Sequence, residues 1–161
     1  MQLLRIADTG GPGRRRGGHA LLREYEFLGE SGVLTLRSDT RDVPPHGLDG
    51  GEPGCGPTNL VLSGGTTRTL PVLVTQPVRL RRGDLFRHVT PSGGGWGDPL
   101  TRDPADVLRG VVEEKVTPAM AWERYGVVIA EEPRPRVDAS ATAALRRERL
   151  AIGAGSAPRG S

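Results

Sequence analysis

The sequence predicts an α+β fold whose two parts differ in kind. Residues 1–90 are expected to form short antiparallel strands with Gly/Pro-rich loops, and residues 100–150 two to three helices and a short strand. In the first part, short runs of alternating apolar and polar residues are separated by glycine and proline. In the second part, helix start signals precede apolar residues at helical spacing. The two parts meet at Gly93-Gly-Gly-Trp-Gly-Asp-Pro99.

The composition predicts a small core rich in loops. A chain of 161 residues is long enough for one domain. It contains 24 glycines and 14 prolines, its hydrophobic content is 35%, and aromatic residues make up only 4%. So little apolar surface gives a modest core, and we expect such a domain to gain stability from a partner surface.

Charge and cysteine content narrow the class of protein. The net charge is +3, but acidic residues are scattered throughout and no predicted helix has a sustained basic face, so we expect no nucleic-acid partner. Cys55 is the only cysteine, which excludes an intramolecular disulfide and fits a reducing compartment. The chain has neither a bilayer-length apolar run nor a signal-peptide core. We therefore expect a cytoplasmic protein with no membrane partner.

The strands of the first part are predicted from period-two alternation. Residues 19–28 and 32–37 alternate on either side of Glu30-Ser31-Gly32, which predicts a hairpin. Turn signals at Gly64-Gly65 and Arg82-Gly83-Asp84 separate four further short strands, predicted at residues 59–62, 67–71, 77–80 and 84–89. We expect exposed apolar strand edges where the sheet would continue into a partner.

The helices of the second part are predicted from their caps. Asp103-Pro104 and Thr117-Pro118 are each an N-cap residue followed by proline at the first helical position, and Gly126 ends the second helix. Asp138 caps a third helix, predicted to end at Leu150.

The remaining segments complete the predicted domain organisation. Residues 127–129 are predicted to add a strand to the sheet. We expect one domain over residues 1–130, a linker over 131–137, and a solvated helix with a disordered tail over 138–161.

Adjacent arginines beside glycines form the first candidate binding motif, Arg14-Arg15-Arg16-Gly17-Gly18. A guanidinium is a rigid fork of donors and glycine bares backbone N–H groups, so the motif suits a phosphate or a carboxylate. The chain lacks the spacing of a Walker motif, and the simpler interpretation is a solvated turn.

Polar side chains on a proline-stiffened loop are the candidates for catalysis. Asp39, Arg41 and His46 lie close together in sequence, and a carboxylate, a guanidinium and an imidazole on one loop are suited to substrate binding or acid–base chemistry. A surface loop with an Asp-capped turn is the alternative. The three histidines of the chain are isolated from one another, so we expect no metal site.

A series of short motifs, in a fixed order over residues 5 to about 147, resembles the hydantoinase B/oxoprolinase family. Any one of them is weak evidence, whereas their common order and spacing are specific. They are Gly10-Gly11-Pro12-Gly13, Arg16-Gly17-Gly18, Arg23-Glu24, Ser38-Asp39, Arg41, Pro44-Pro45, Gly47, Gly50-Gly51, Pro53-Gly54, Leu80, Gly83-Asp84, Thr90-Pro91, Gly93-Gly94-Gly95-Trp96-Gly97-Asp98-Pro99, Arg102-Asp103-Pro104, Lys115-Val116 and Tyr125-Gly126-Val127.

The resemblance implies one half of an ATP-dependent enzyme that opens cyclic amides such as hydantoins and oxoproline. Relatives in the family carboxylate ketones, and the motifs do not separate the two activities. In the family, ATP is held by an A-type subunit, which phosphorylates the carbonyl oxygen of the substrate, and the B-type subunit supports the second half of the reaction. A phosphorylated amide is a far better electrophile, which a water activated by a metal or a base can attack.

The sequence departs from the family pattern in length. It corresponds to the last quarter to third of a typical B-type chain, and it has no counterpart of the His and Asp metal ligands that the resemblance places further towards the N-terminus. We therefore expect a C-terminal piece of a B-type subunit with no cofactor of its own, inactive without the rest of that subunit and an ATP-binding A-type subunit. ATP and a divalent metal are implied for the full assembly. A non-catalytic fragment that only binds a partner is the alternative.

The glycine loops supply the remaining candidates. Asp98 joins Asp39, Arg41 and His46 as a weak catalytic candidate. Gly93, Gly94, Gly95 and Trp96 are the candidates for substrate binding, because backbone N–H groups can meet an anionic intermediate. The alternative is that these glycines only permit tight turns where strands meet helices.

Overall fold

A computed structural model describes residues 1–37, 43–71, 73–130 and 132–155, without the side chains of residues 153–155. Its α+β architecture confirms the predicted fold class. The strands are β1 (Gln2–Arg5), β2 (Leu21–Glu26), β3 (Ser31–Leu34), β4 (Thr58–Ser63), β5 (Thr66–Leu70), β6 (Val78–Arg81), β7 (Leu85–Val89), β8 (Ile129–Ala130) and β9 (Arg136–Val137). The helices are α1 (Pro104–Val112), α2 (Pro118–Tyr125) and α3 (Ala139–Gly155), and a 3₁₀ turn spans Pro99–Thr101.

The main sheet has five antiparallel strands in the order β1-β2-β7-β4-β5. Both predicted turns are present. Gly64-Gly65 connects β4 to β5, and residues 82–84 connect β6 to β7. Gly64, Gly65 and Gly83 have positive φ. One edge strand, β1, exposes Leu3 and Leu4. Apolar side chains therefore lie at a strand edge, as expected from the sequence.

The predicted hairpin between residues 19–28 and 32–37 is wrong in its pairing. β2 pairs with β1 and β7, whereas β3 pairs with β6 in a separate two-stranded sheet. The connecting segment is held by the β6–β7 turn, since the Phe27 N–H donates to the Asp84 carbonyl (2.8 Å) and the Gly83 N–H donates to the Phe27 carbonyl (2.9 Å). Alternation identifies strands and their buried faces, but it does not identify partners.

Both of these sheets contribute to one apolar cluster, here called the sheet cluster. Its buried members are Val61, Leu70, Val78 and Leu80. Phe27 and Leu34 pack against it from the segment in which the sequence predicts a hairpin. Crossing from one sheet to the other allows β3 to cover this cluster, which a β2–β3 hairpin within a single sheet would not do.

The helices begin where their caps predict. The Asp103 carboxylate accepts from the Ala105 N–H (2.8 Å), and the Thr117 hydroxyl accepts from the Met120 N–H (3.1 Å). Gly126 ends α2 in the left-handed conformation with φ 60°. α1 and α2 pack around the helical cluster, which consists of the buried residues Val107, Val116, Ala121, Tyr125 and Val127.

The strand predicted over residues 127–129 does not join the main sheet. Ile129–Ala130 pairs with Arg136–Val137 as a separate two-stranded ribbon. The Val128 N–H instead donates to the Thr142 hydroxyl (3.0 Å), and Val127 is buried in the helical cluster. The segment is apolar because it packs against helices.

The third helix is capped by Asp138, whose carboxylate accepts from the Ala141 N–H (3.0 Å), and it continues past the predicted end to Gly155. Arg146 on this helix donates to the carbonyls of Tyr125 (3.1 Å) and Arg102 (2.7 Å). Among the described residues, no helix is long and apolar enough to cross a bilayer.

Candidate functional site

Three glycine-rich loops pack against one another through their main chains and form what is here called the glycine layer. They are the N-terminal loop (residues 10–18), the middle loop (residues 45–54) and the C-terminal loop (residues 92–98). Nine backbone hydrogen bonds between the loops hold them together: Gly11 N–H to Gly93 O, Gly93 N–H to Gly18 O, Gly95 N–H to Glu52 O, Glu52 N–H to Pro12 O, Leu48 N–H to Gly95 O, Gly97 N–H to Leu48 O, Trp96 N–H to Arg15 O, Arg15 N–H to Trp96 O and Arg14 N–H to Gly97 O.

Glycine is required in this layer because the main chains approach too closely for a side chain. A Cβ on Gly95 would lie 2.5 Å from the carbonyl carbon of Pro12, and a Cβ on Gly94 would lie 2.6 Å from that of His46. A Cβ on Gly11 would lie 2.6 Å from the Gly95 nitrogen. Each distance is far inside carbon–carbon or carbon–nitrogen contact. The Pro12 carbonyl and the Gly95 N–H are themselves hydrogen-bonded to Glu52.

One buried serine side chain fastens the layer to its surroundings. Ser92 is 5% exposed, and its hydroxyl donates to the Thr9 carbonyl while accepting from the Cys55 N–H (2.7 Å). The Ser92 N–H donates to the Cys55 carbonyl (3.1 Å). Cys55 is therefore held through its main chain.

Three of the four N–H groups of the predicted substrate-binding stretch are hydrogen-bonded within the protein. The N–H groups of Gly93, Gly95 and Trp96 all donate to carbonyls of neighbouring loops. The alternative of tight turns applies to Gly97, whose φ is 75°, whereas Gly93 to Gly95 serve close packing between loops. A role of this stretch in substrate binding stays a prediction.

An exposed apolar side chain stands at the rim of the layer. Trp96 is 42% exposed although its main chain is bonded to the N-terminal loop, and the neighbouring Leu48 is 60% exposed. The two residues are joined by a parallel β-bridge. This pair is the apolar surface that the layer offers to a substrate or to another segment of protein.

Two of the four catalytic candidates lie in the described residues, at this same layer. His46 is exposed on the middle loop, and its carbonyl lies against Gly94. The Asp98 carboxylate accepts from the Leu100 N–H (2.8 Å) and so caps the 3₁₀ turn. Asp39 and Arg41 lie outside the described residues. Their assignment as catalytic residues stays a prediction.

The other two histidines are engaged in the fold. His19 Nδ1–H donates to the Ile6 carbonyl (3.1 Å), and His88 Nδ1–H donates to the Asn59 side-chain oxygen (2.7 Å). Burial lowers the pKa of both imidazoles, with nearby Arg16 acting in the same direction on His19 and Arg23 on His88. Within residues 1–37, 43–71, 73–130 and 132–155, no three His, Cys, Asp or Glu side chains come together as a metal site.

Sequence reasoning missed the residue that joins the layer to the helices. Asp8, at φ 60°, accepts from the Thr117 N–H (2.8 Å) and from the Thr117 hydroxyl (2.7 Å). Its carboxylate therefore stands at the start of α2, more than a hundred residues away in sequence. Asp8-Thr9-Gly10 leads into the N-terminal loop and has the sequence pattern of an ordinary turn. No local signal distinguishes this aspartate.

A cationic cavity beside the layer is the second feature that could not be predicted from the sequence. Arg16 of the N-terminal loop and Arg102 after the 3₁₀ turn line it together with Tyr125 at the end of α2. The Arg102 guanidinium lies 5.9 Å from the Tyr125 ring centroid. Arg16 belongs to a motif suited to oxyanion binding, but its partners come from distant parts of the chain.

Comparison with known proteins agrees with the resemblance. A family model described as hydantoinase B/oxoprolinase matches residues 3–99. The chain is 31% identical over 137 residues to the B-type subunit of a D-/L-hydantoinase from Pseudomonas sp. (strain NS671), covering 84% of this chain and 23% of that protein. It is 32% identical over 155 residues to the beta chain of the caprolactamase from Pseudomonas jessenii, covering 88% of this chain and 24% of that protein. The chain thus spans about a quarter of the length of these relatives.

Solved structures share the fold. An acetone carboxylase in its nucleotide-free form superposes with a TM-score of 0.82 at 20% identity, over 96% of this chain and 25% of that one. The ATP-dependent caprolactamase from Pseudomonas jessenii superposes with a TM-score of 0.73 at 26% identity, over 91% of this chain and 25% of that one. Since the family model covers more than half of its residues, the chain belongs to the hydantoinase B/oxoprolinase family.

Proposed function

We propose that this chain builds the glycine layer of a B-type subunit in an ATP-dependent cyclic-amide hydrolase of the hydantoinase/oxoprolinase type. The observation that carries the proposal is the layer itself, whose three loops all lie within the residues matched by the family model. The two relatives of about a third identity that span most of the chain are named for hydantoin and caprolactam, both cyclic amides. Amide hydrolysis is therefore favoured over ketone carboxylation, which is supported by a likeness of fold alone.

The chemistry we assign to the assembly follows from the stability of the amide. An amide carbonyl resists water until its oxygen is converted into a leaving group, which is the task of ATP on the A-type partner. A divalent metal would activate the attacking water. The described residues offer no cluster of three metal-ligating side chains, so we assign no metal-dependent step to them.

The partners we propose are the remainder of a B-type subunit and an ATP-binding A-type subunit, in the cytoplasm. Exposed apolar side chains support such partners, because burying these side chains against another protein removes apolar surface from water and stabilises a small domain. They lie at the β1 edge (Leu3, Leu4), on β3 (Val33) and at the rim of the glycine layer (Leu48, Trp96). The single cysteine agrees with a reducing compartment.

Within this proposal, the glycine layer is a rigid platform for the polar candidates. His46 and Asp98 lie on loops whose main chains are fixed by the layer, and Asp39 and Arg41 precede the middle loop in sequence. A platform that cannot repack holds a catalytic side chain in one place, which is what positioning requires. Trp96 and Leu48 would then provide the apolar wall for a ring-shaped substrate.

The first test is co-purification of the tagged chain from its native cell with identification of its partners by mass spectrometry. Recovery with a B-type and an A-type chain supports the proposal, and that complex should release ADP and phosphate on adding hydantoin, 5-oxoproline or caprolactam. ATP-dependent fixation of labelled bicarbonate onto a ketone would instead identify a carboxylase. Recovery of the chain alone, or of a complex inactive in both assays, would leave only a partner-binding fragment and contradict the proposal.

Variants of the polar candidates test the site within that complex. His46→Gln is expected to lower kcat by about 100-fold if the imidazole acts as acid or base, with no change in thermal stability because the side chain is exposed. Asp98→Asn keeps a side-chain oxygen that can accept from the Leu100 N–H. A loss of activity in this variant would therefore result from the lost negative charge and not from a disturbed turn. Wild-type turnover in both variants would remove these two residues from the site.

A further inference from the structure

A cavity of about 320 Å³ lies where the N-terminal loop meets α1 and the end of α2. It is here called the arginine pocket, and its charged and polar lining consists of Arg16, Arg102, Asp106, Arg109, Glu113, Lys115 and Tyr125. A more open cleft adjoins it and leads to solvent. Its charged lining consists of four arginines and two aspartates, at positions 14, 15, 16 and 102 and at positions 103 and 106. The proposed amide chemistry makes no use of this pocket.

The charges that line the pocket do not cancel. Asp106 is paired with Arg109, and Glu113 is paired with Lys115. None of the ion pairs found among the described residues includes Arg16 or Arg102. Within the part of the chain that the structure describes, these two guanidiniums therefore have no ion-pair partner. Burial lowers the pKa of Arg16, and nearby Arg102 and Arg5 act in the same direction, whereas Glu113 opposes the shift.

A buried hydroxyl completes the set of donors. Tyr125 is 1% exposed, it lines the pocket, and its hydroxyl has no hydrogen-bond partner among the described residues. Burial raises the pKa of this phenol, although Arg102 and Arg16 lie close enough to oppose the shift. The phenol therefore stays protonated at neutral pH and has a proton to donate. A buried donor without an acceptor is costly, which indicates an acceptor not supplied by the described residues.

The backbone holds the two arginines where they are. Arg16 donates to the Gly17 carbonyl (3.0 Å) at the edge of the glycine layer, and Arg102 donates to the Arg14 carbonyl (3.2 Å). The carbonyl of Arg102 accepts from Arg146 on α3 (2.7 Å). The donors of the pocket are thus positioned by the layer on one side and by the third helix on the other.

We propose that the arginine pocket binds a phosphate-class oxyanion, with Arg16 and Arg102 supplying charge-assisted donors and the Tyr125 hydroxyl a third. The two uncompensated guanidiniums match the charge of a phosphate dianion, whereas a carboxylate would neutralise only one of them. A cavity of about 320 Å³ admits phosphate or a small phosphorylated molecule. This site does not depend on the proposed amide hydrolysis.

The test is isothermal titration of the 161-residue chain with inorganic phosphate, with acetate and succinate at the same ionic strength for comparison. Tyr125→Phe removes only the unpartnered hydroxyl, so it is expected to fold at least as stably as the wild type and to bind phosphate about tenfold more weakly. Arg16→Gln and Arg102→Gln should each weaken binding at least as much. The matched control is Arg68→Gln on the exposed edge strand β5, which removes the same charge and should change the dissociation constant less than twofold.

Three results would overturn the assignment. One is the absence of phosphate binding by a folded chain. Another is equal weakening by Arg68→Gln and Arg102→Gln, which would mean attraction to the overall positive charge. The third is tighter binding of acetate or succinate than of phosphate, which would assign the pocket to a carboxylate. None of these results bears on membership of the family or on amide hydrolysis, which the co-purification and turnover assays test separately.

Discussion

The glycine layer and the helical cluster are both interior parts of this protein, but different atoms fill them. In the layer, main chains of three loops lie against one another, and the space for a Cβ is already taken by carbonyl groups. In the helical cluster, side chains such as Val107 and Val127 fill the interior. One region is built from hydrogen bonds and close approach, the other from apolar burial.

This difference determines how each region tolerates change. A side-chain cluster can relax around a missing methyl group, so the loss of stability is partial. Hydrogen-bonded backbone cannot move aside for an added methyl group without breaking bonds to its neighbours. The layer should therefore be the more sensitive region to the smaller chemical change, which is a suitable property for a platform that positions polar side chains.

The largest effect is expected for Gly95→Ala. The new Cβ would meet the backbone of Pro12, whose carbonyl already accepts from the Glu52 N–H (2.8 Å), so the variant should lose about 4 kcal/mol or fail to fold. Gly56→Ala is the matched control, since nothing lies within 4 Å of its Cβ position, and it should change stability by less than about 0.5 kcal/mol. Equal urea midpoints for the two variants would contradict close packing in the layer.

A smaller effect is expected for Val127→Ala in the helical cluster. The side chain is fully buried, and its truncation should cost about 2 kcal/mol through lost burial and a residual cavity. Val112→Ala, at a position 62% exposed on α1, should be nearly neutral. Urea unfolding of both variants measures this difference, and a loss for Val127→Ala as large as that for Gly95→Ala would erase the distinction between the two regions.

The hydrogen bonds from Thr117 to Asp8 should contribute about 1.5 kcal/mol to stability, the lower end of the range expected for hydrogen bonds to a charged group. Asp8→Ala removes both acceptors of Thr117 and places a non-polar residue at φ 60°, where alanine is strained. Asp8→Asn tolerates that φ and keeps one oxygen for the Thr117 N–H, so it should recover about half of the loss. Thermal unfolding of the two variants gives the comparison. An equal loss in both would mean that the carboxylate charge matters and the hydrogen-bond geometry does not.

The smallest effect is the pH dependence contributed by the two half-buried histidines, His19 and His88. Burial lowers the folded-state pKa of both, so the unfolded chain binds more protons as the pH falls through the ordinary histidine pKa of about 6.5. Stability from this source is present above that pH and is lost below it. The urea midpoint should therefore fall as the pH is lowered from about 7.5 to about 5.5, and His88→Gln should reduce the slope. A urea midpoint that rises on acidification would contradict a lowered folded-state pKa for these half-buried imidazoles.

Local signals in the sequence predict the elements better than their partners. The caps of α1 and α2 depend on neighbouring residues such as Asp103-Pro104 and Thr117-Pro118, so they can be predicted from the chain alone. The pairing of β3 with β6 depends on how apolar faces meet across two sheets, and alternation carries no information about it. The same limit explains why the apolar pattern of residues 127–129 predicts the wrong sheet.

The candidate site shows the same division. The glycine run at residues 93–97 is conspicuous in sequence, but close packing between three loops is visible only when their main chains are placed together. Arg16 stands in a motif suited to an oxyanion, whereas Arg102 and Tyr125 are single residues far along the chain. Because the pocket is built from three segments that are far apart in the chain, its residues form no motif of fixed spacing in the sequence.

Native-state hydrogen exchange measures whether the amides of the glycine layer are hydrogen-bonded inside the protein. The N–H groups of Gly95, Trp96 and Gly97 should exchange only on global unfolding, as slowly as those of the central strands of the main sheet. The Gly65 amide, in the exposed β4–β5 turn, should exchange rapidly in the same sample. Rapid exchange at Gly95 and Trp96 would mean that the loops are open to solvent, and the packed layer would have to be abandoned.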